Sequence, residues 1–292
     1  MIGTVVKGIG GFYFVYDGND VVMGKARGNL KRDKEIIYVG DIVDFEIDEN
    51  DSDGEAVINS VVERRNHLSR PPVSNLDMLV VVFSLVQPEV NFPVVDKLIA
   101  ACEQAGIAPA VCISKIDLAE EKSLEEVKAI YSALYPTAIV NALSGEGIED
   151  LERIISGKNV ALAGPSGVGK STISNHLLAD LGIEVETGDV SDKTRRGRHT
   201  TRHVEIFALS DGTQLYDTPG FTSLELQETE PSEIRKLFKE MRGCEGECRY
   251  RDCMHINEPD CAVKTALEKG DISRSRYDSY LHMTEEAKKW LK

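Results

Sequence analysis

Hydrophobic and polar residues alternate in short runs along the N-terminal part of the chain, at 4–6, 12–16, 20–24, 36–39, 42–47 and 56–62, with Gly10-Gly11, Asp17-Gly18 and Asp53-Gly54 between them. Period-two alternation bounded by turn pairs is the signature of short strands. Five or so strands within 1–67 predict a small barrel of the oligonucleotide/oligosaccharide-binding (OB) type, and an SH3-like barrel fits the same pattern. Residues 64–72 read as a linker, because Pro71-Pro72 excludes a continuous helix or a central strand.

From Leu76 the pattern changes to apolar runs separated by amphipathic segments of helical length. Strands are expected near 78–84, 109–113, 138–141, 160–163, 204–208 and 213–216, and helices near 93–105, 123–134, 148–155 and 170–180. This alternation predicts a mostly parallel sheet covered by helices. After Thr229 the chain becomes helical and cysteine-bearing, with Pro231 suited to a first helical turn and an amphipathic run over 274–291. The expected fold is multidomain α/β, with a barrel over 1–67, an α/β domain over 68–228 and a small helical unit over 229–292. There is no internal repeat or low-complexity tract.

The 292 residues are 41% hydrophobic and 28% charged, ordinary for a globular chain. The longest uncharged apolar stretch, Met78 to Phe83, is far shorter than the roughly 18 residues of a membrane span. The N-terminus lacks the basic cluster, apolar run and cleavage site of a secretory signal, so a cytoplasmic protein without a membrane partner is expected. A net charge of −15 disfavours broad nucleic-acid binding, but Lys193, Arg195, Arg196, Arg198 and Arg202 make a local positive spot.

Gly164, Pro165, Ser166, Gly167, Val168, Gly169, Lys170 and Ser171 satisfy the phosphate-loop pattern G-x-x-x-x-G-K-S, after an apolar strand and before a helix. The glycines let backbone N–H groups surround nucleotide phosphates at a helix N-terminus. Lys170 is expected on the β/γ-phosphates and Ser171 on Mg²⁺, with Thr172 completing the nucleotide-binding set. Asp217-Thr218-Pro219-Gly220 closes a strand, placing Asp217 on the magnesium side and the Gly220 amide at the γ-phosphate.

Ser114, Lys115, Ile116 and Asp117 follow an apolar strand and resemble the guanine box N-K-x-D, with serine at the asparagine position. A carboxylate at Asp117 accepts from guanine N1–H and N2–H₂, a donor pair that adenine lacks. Asn141-Ala142-Leu143-Ser144-Gly145 follows the next strand, and the Ala142 amide is the candidate for guanine O6. Between Ser171 and Asp217, the polar segment 196–202 reads as a first switch, in which Thr200 or Thr201 ligates Mg²⁺, with Thr201 preferred. Its positive charges also suit RNA phosphates, or merely a solvated loop. Phe221 stands where GTPases usually carry a water-orienting glutamine. His199 is therefore the candidate catalytic residue, against a structural or RNA-contacting role.

Cys248-x4-Cys253-x-His255-x5-Cys261 supplies the Cys₃His set of a closed structural Zn²⁺ site, with Cys244 a possible substitute and buried metal-free thiols the bland alternative. Cys102 and Cys112 lie in apolar segments and are read as core.

Base recognition here precedes the phosphate loop and the switches, the reverse of the usual order. With a barrel before and a zinc unit after, this rotated order resembles the ribosome small-subunit-dependent GTPase A family across essentially the whole chain, as do Arg64-Arg65-Asn66, Gly197-Arg198-His199-Thr200-Thr201 and Asp217-Thr218-Pro219-Gly220-Phe221. The resemblance implies a circularly permuted P-loop GTPase domain between an OB-fold barrel and a zinc-binding helical domain. It implies GTP hydrolysis with Mg²⁺, stimulated by the small ribosomal subunit, in a monomeric late assembly factor that binds GTP, GDP and rRNA. The barrel and zinc unit would grip RNA through surface aromatics such as Phe12 or Tyr13 and through Arg249 and Arg251. Two alternatives stand beside it: an RNA-binding module that uses nucleotide only as a conformational ligand, and an ATP-using enzyme, which Asp117 disfavours.

Overall fold

N-terminal alternation becomes five strands, β1 (Ile2–Ile9), β2 (Phe12–Tyr16), β3 (Val21–Ala26), β4 (Ile42–Ile47) and β5 (Ala56–Val61), in the computed structural model. The structure describes residues 1–28, 30, 36–47, 55–183, 185, 204–218, 221, 222, 224 and 226–290. β1 pairs with both β2 and β4, β2 with β3, β3 with β5, and β5 with β4, which closes the barrel. Every second residue points inward, and Val5, Val15, Val43, Phe45 and Ile58 form a core with no solvent exposure.

Two expectations are corrected in this region. Residues 36–39 do not form a strand; Val39 makes only an isolated bridge to Val73. Local bonds claim this backbone instead, since the Tyr38 amide donates to the Asp41 carboxylate at 2.8 Å. The supposed linker is also structured. It turns into the hairpin β6 (His67–Ser69) and β7 (Pro72–Ser74), where Pro72 sits at a strand end and no internal ladder position is lost. Asp41 is fully buried and anchors the hairpin: Arg64 Nε and Nη2 donate to its two oxygens at 2.7 and 2.8 Å, and Ser74 Oγ donates at 2.6 Å. Tyr216 Oη reaches the Ser74 carbonyl at 3.3 Å.

The chain falls into two compact units, one of residues 1–80, 155–162 and 170–221, the other of 81–154, 163–169 and 222–292. In the first, β11 (Asn159–Ala163) runs parallel to β13 (Gln214–Asp217), which pairs antiparallel with β12 (Glu205–Ala208). β12 continues the sheet to β1 through the pairing of Lys7 with Glu205. Helix α4 (Lys170–Leu177) also belongs here, ending three residues short of the expected 180 in a 3-10 turn before Gly182.

In the second unit the last four residues of β8 (Met78–Ser84), β9 (Ala108–Ser114) and β10 (Thr137–Val140) lie side by side, with β9 and β10 parallel. Every residue of β8 is buried, as expected of a strand covered on both faces. Helices α1 (Phe92–Ala105), α2 (Glu121–Ser132) and α3 (Ile148–Ile155) connect these elements. α1 starts at Asn91, whose side chain accepts from the Val94 amide, and stops at left-handed Gly106. Beyond it, α5 (Lys239–Arg242), α6 (Ala262–Lys269) and α7 (Arg274–Trp290) form the C-terminal region. Pro231 does not open a helix; it lies in a turn ahead of a 3-10 segment, Ile234–Leu237.

Arg276 of α7 is 1% exposed and holds this unit together. Its Nη1 donates to Asp96 at 2.7 Å and its Nε to Glu240 at 2.7 Å, while Phe238 packs beneath the guanidinium at 4.7 Å. Among the described residues, no helix is long and apolar enough to cross a membrane. Cys102 and Cys112 are fully buried, and burial pushes both thiols above their usual range, consistent with a core role.

Candidate nucleotide site and metal centre

The base-reading residues follow β9. Ser114 ends that strand at 1% exposure, and its hydroxyl lies 2.6 Å from the Val168 carbonyl oxygen and 3.1 Å from that of Phe83. A hydroxyl has one hydrogen, so the shorter contact takes it. Serine therefore ties the base-reading strand to the phosphate loop. Lys115 adopts left-handed backbone (φ 54°) and its ammonium donates to the Gln87 carbonyl at 2.7 Å. The reversal turns the chain into a 3-10 segment, Ile116–Leu118, that presents Asp117 to solvent.

In the next loop Asn141 closes an Asx turn: its Oδ1 accepts from the Leu143 and Ser144 amides at 3.0 and 3.4 Å. The asparagine side chain therefore builds the loop. Ala142 is 8% exposed and Leu143 is 85% exposed, so the loop buries the alanine and offers the leucine to solvent.

Phosphate-loop residues Gly164 to Gly169 belong to the second unit, and Lys170, Ser171 and Thr172 open α4 in the first. Gly164, Gly167 and Gly169 have φ of +149°, +80° and +91°. At Gly164 a Cβ would stand 2.0 Å from the Val82 carbonyl oxygen, so the backbone turns only because no side chain is there. Pro165 and Ser166 lie toward solvent, whereas Val168 is buried. Burial lowers the Lys170 ammonium to about 8, a state that an anion would reverse.

Asp217 ends β13, one position beyond Tyr216, the partner of Ala161 on β11. Burial, and then the charge of Glu205, raise its carboxyl pKa. A half-buried carboxylate beside another carboxylate fits a divalent cation, and Ser171 offers a hydroxyl in the first turn of α4. Phe221 is 2% exposed and packs as core, so it meets no water. His199, Thr200, Thr201, Gly220 and the positive segment 193–202 lie outside the described residues.

Cys248, Cys253, His255 and Cys261 converge as expected, their ligand atoms all within 4.8 Å of one another. His255 Nδ1 is 3.6 Å from Cys248 Sγ and 3.3 Å from Cys261 Sγ, edge lengths suited to a tetrahedron around one Zn²⁺. Cys244 is not in the cluster. The Ala262 amide at the start of α6 donates to Cys248 Sγ at 3.4 Å, and Tyr277 Oη donates to the His255 carbonyl at 2.6 Å. His255 has a φ of +58°, and the Glu258 carboxylate supports its loop by accepting from the Met254, Ile256 and Asn257 amides. Burial, with the Arg235 charge, favours neutral imidazole. Burial raises the Cys253 thiol, so thiolates packed this closely call for a cation.

Of the residues expected to face RNA, four can be placed. Phe12 is half-buried, with the Lys25 ammonium 4.5 Å above its ring, while Tyr13 packs against the barrel core. Both rings of the expected aromatic surface are therefore only partly exposed. Arg249 and Arg251 are exposed, the former paired with Asp260 at 2.9 Å. Residues missed in the sequence are those that support others: Gln87 acts through its carbonyl, which carries no side-chain signal, and Tyr277 and Glu258 look like ordinary surface helix and loop residues.

Family models for the RsgA N-terminal domain and the RsgA GTPase match residues 2–58 and 61–227. A relative from Caldanaerobacter subterraneus, "Small ribosomal subunit biogenesis GTPase RsgA", is 40% identical over 98% of this chain and 95% of its own. The crystal structure of YjeQ from Thermotoga maritima is similar at a TM-score of 0.82 and 33% identity, covering 98% of each chain. That of YloQ, described as a circularly permuted GTPase, is similar at 0.79 and 30%, covering 99% of this chain and 95% of its own.

Proposed function

The chain belongs to the RsgA GTPase family, and from that premise we propose that it hydrolyses GTP under stimulation by the small ribosomal subunit, as a late assembly factor that binds the subunit's rRNA. The carrying observation is the Ser114–Val168 hydrogen bond, which fastens the base-reading strand to the phosphate loop although the boxes run in rotated order. The proposed functional segments are the barrel over 1–67, the permuted GTPase domain over 68–228 and the zinc domain over 229–292, and the ranges of the two family models support the first two.

In this reading Asp117 accepts from the guanine edge and the Ala142 amide meets its O6. Backbone amides from Gly164 to Gly169, Lys170 and Thr172 hold the phosphates, while Ser171, Asp217 and Thr201 hold Mg²⁺. Mg²⁺ would supply charge neutralisation at the β- and γ-phosphates. The Gly220 amide senses the γ-phosphate, and His199 orients the attacking water in place of the buried Phe221. Zn²⁺ on Cys248, Cys253, His255 and Cys261 is structural, because four protein ligands leave no open position. The protein acts as a cytoplasmic monomer, and its basic residues contact rRNA phosphates.

GTP turnover measured with and without purified small and large subunits tests the proposal. Acceleration by the small subunit alone is expected. Turnover that stays negligible under all conditions would favour a nucleotide-regulated RNA-binding module.

A further inference from the structure

Three charged side chains form a row across neighbouring strands of the first unit. Lys7 on β1 is the register partner of Glu205 on β12, and Glu205 is the partner of Asp217 on β13. Directly opposed residues on paired strands project to the same face. The contact is formed: Lys7 Nζ lies 2.6 Å from Glu205 Oε2. A register shift between Val5 and Lys7 interrupts the β1–β2 ladder, the kind of bulge that re-aims a side chain at a sheet's functional edge.

We propose that Lys7 and Glu205 are positioning residues for the GTPase reaction: the barrel lysine pins and largely neutralises the carboxylate beside Asp217, and thereby sets the pull on the divalent cation that accompanies the nucleotide. The inference rests on the reading of Asp217 as the magnesium-side aspartate. An ion pair presents a short dipole whose field fades quickly, whereas a lone carboxylate one strand from Asp217 adds a full negative charge. Without Lys7 the cation is held too tightly; without Glu205 the lysine ammonium faces Asp217 and loosens it. Glu205 stands four residues after Thr201, so the pair also fixes the strand into which the candidate first switch leads.

The pair is 27% and 36% exposed, so it contributes little to stability and its variants should fold. The test uses full-length protein and a fluorescent GDP analogue, with the Mg²⁺ concentration giving half-maximal nucleotide retention as readout and the melting temperature as control. Lys7→Met should lower that concentration about threefold or more, and Glu205→Gln should raise it by a similar factor. Lys7→Arg, which keeps the ion pair, should restore the parent value, an outcome that a merely structural role would not produce. Asp217→Asn serves as reference. If Asp217→Asn shifts the Mg²⁺ requirement while Lys7→Met and Glu205→Gln leave it unchanged, the inference alone is overturned. If Asp217→Asn also changes nothing, the reading of Asp217 falls and takes the inference with it.

Discussion

The Ser114 hydroxyl donates to the Val168 carbonyl at 2.6 Å, joining the first residue of the base-reading box to a buried residue of the phosphate loop. Ser114→Ala removes the donor of this buried hydrogen bond, at a cost of about 0.5–1.5 kcal/mol. Both unfolding stability and GDP affinity should fall, and chemical denaturation alongside equilibrium nucleotide binding checks this. Ser114→Asn, which restores the usual residue, should also destabilise, by about 1–3 kcal/mol, because it puts a larger side chain at a position only 1% exposed. A gain in affinity from asparagine would contradict this account.

Asp117 is exposed in the middle of its 3-10 turn, placed to accept from a base edge. Asp117→Asn exchanges an acceptor for a donor, which suits the second carbonyl of xanthine. Competition binding should show GTP weakened by about tenfold or more and xanthosine triphosphate improved, since one charge-assisted pair is worth about 1.5–3 kcal/mol.

Burial lowers Lys170 to about 8, and nucleotide phosphates favour its charged form. Binding therefore takes up a proton above that pH. GDP affinity should be fully present below pH 8 and decline as pH rises through it, by up to about tenfold per unit. Calorimetry in buffers of different ionisation enthalpy would show the proton uptake at pH 8.5, and Lys170→Met should abolish it.

The Cys₃His cluster should carry one zinc per chain in freshly purified protein, measured by elemental analysis. Chelation should raise hydrogen exchange at the start of α6, whose Ala262 amide bonds Cys248 Sγ, before it affects the barrel. Stoichiometric absence of metal would refute the zinc assignment.

Arg276→Leu strips a buried guanidinium from Asp96 and Glu240 together. Breaking such a pair on one side costs about 3–5 kcal/mol. The C-terminal helix should lose exchange protection first, while Lys288→Ala, at an exposed ion pair, should change stability by less than about 1 kcal/mol.

Features that local chemistry writes into a few consecutive residues were readable from the chain alone. A strand, a glycine turn and a helix N-terminus make the phosphate loop wherever they occur in that order, so Gly164 to Ser171 was legible without coordinates. Ligand spacing did the same for Cys248, Cys253, His255 and Cys261, and alternation for β2 and β4. Local signals misled where a distant partner settled the matter: Pro71-Pro72 read as a linker, yet Asp41 and Arg64 hold that segment in a hairpin.

How serine serves in the base box follows from the folded chain, since its acceptor lies 54 residues away. The same holds for Arg276 and Asp96, separated by 180 residues, and for Lys7 and Glu205, separated by 198. Propensity and spacing act over a turn or two of chain, whereas these contacts depend on which strands become neighbours. That choice is made by burial of the whole core, and no window of sequence contains it.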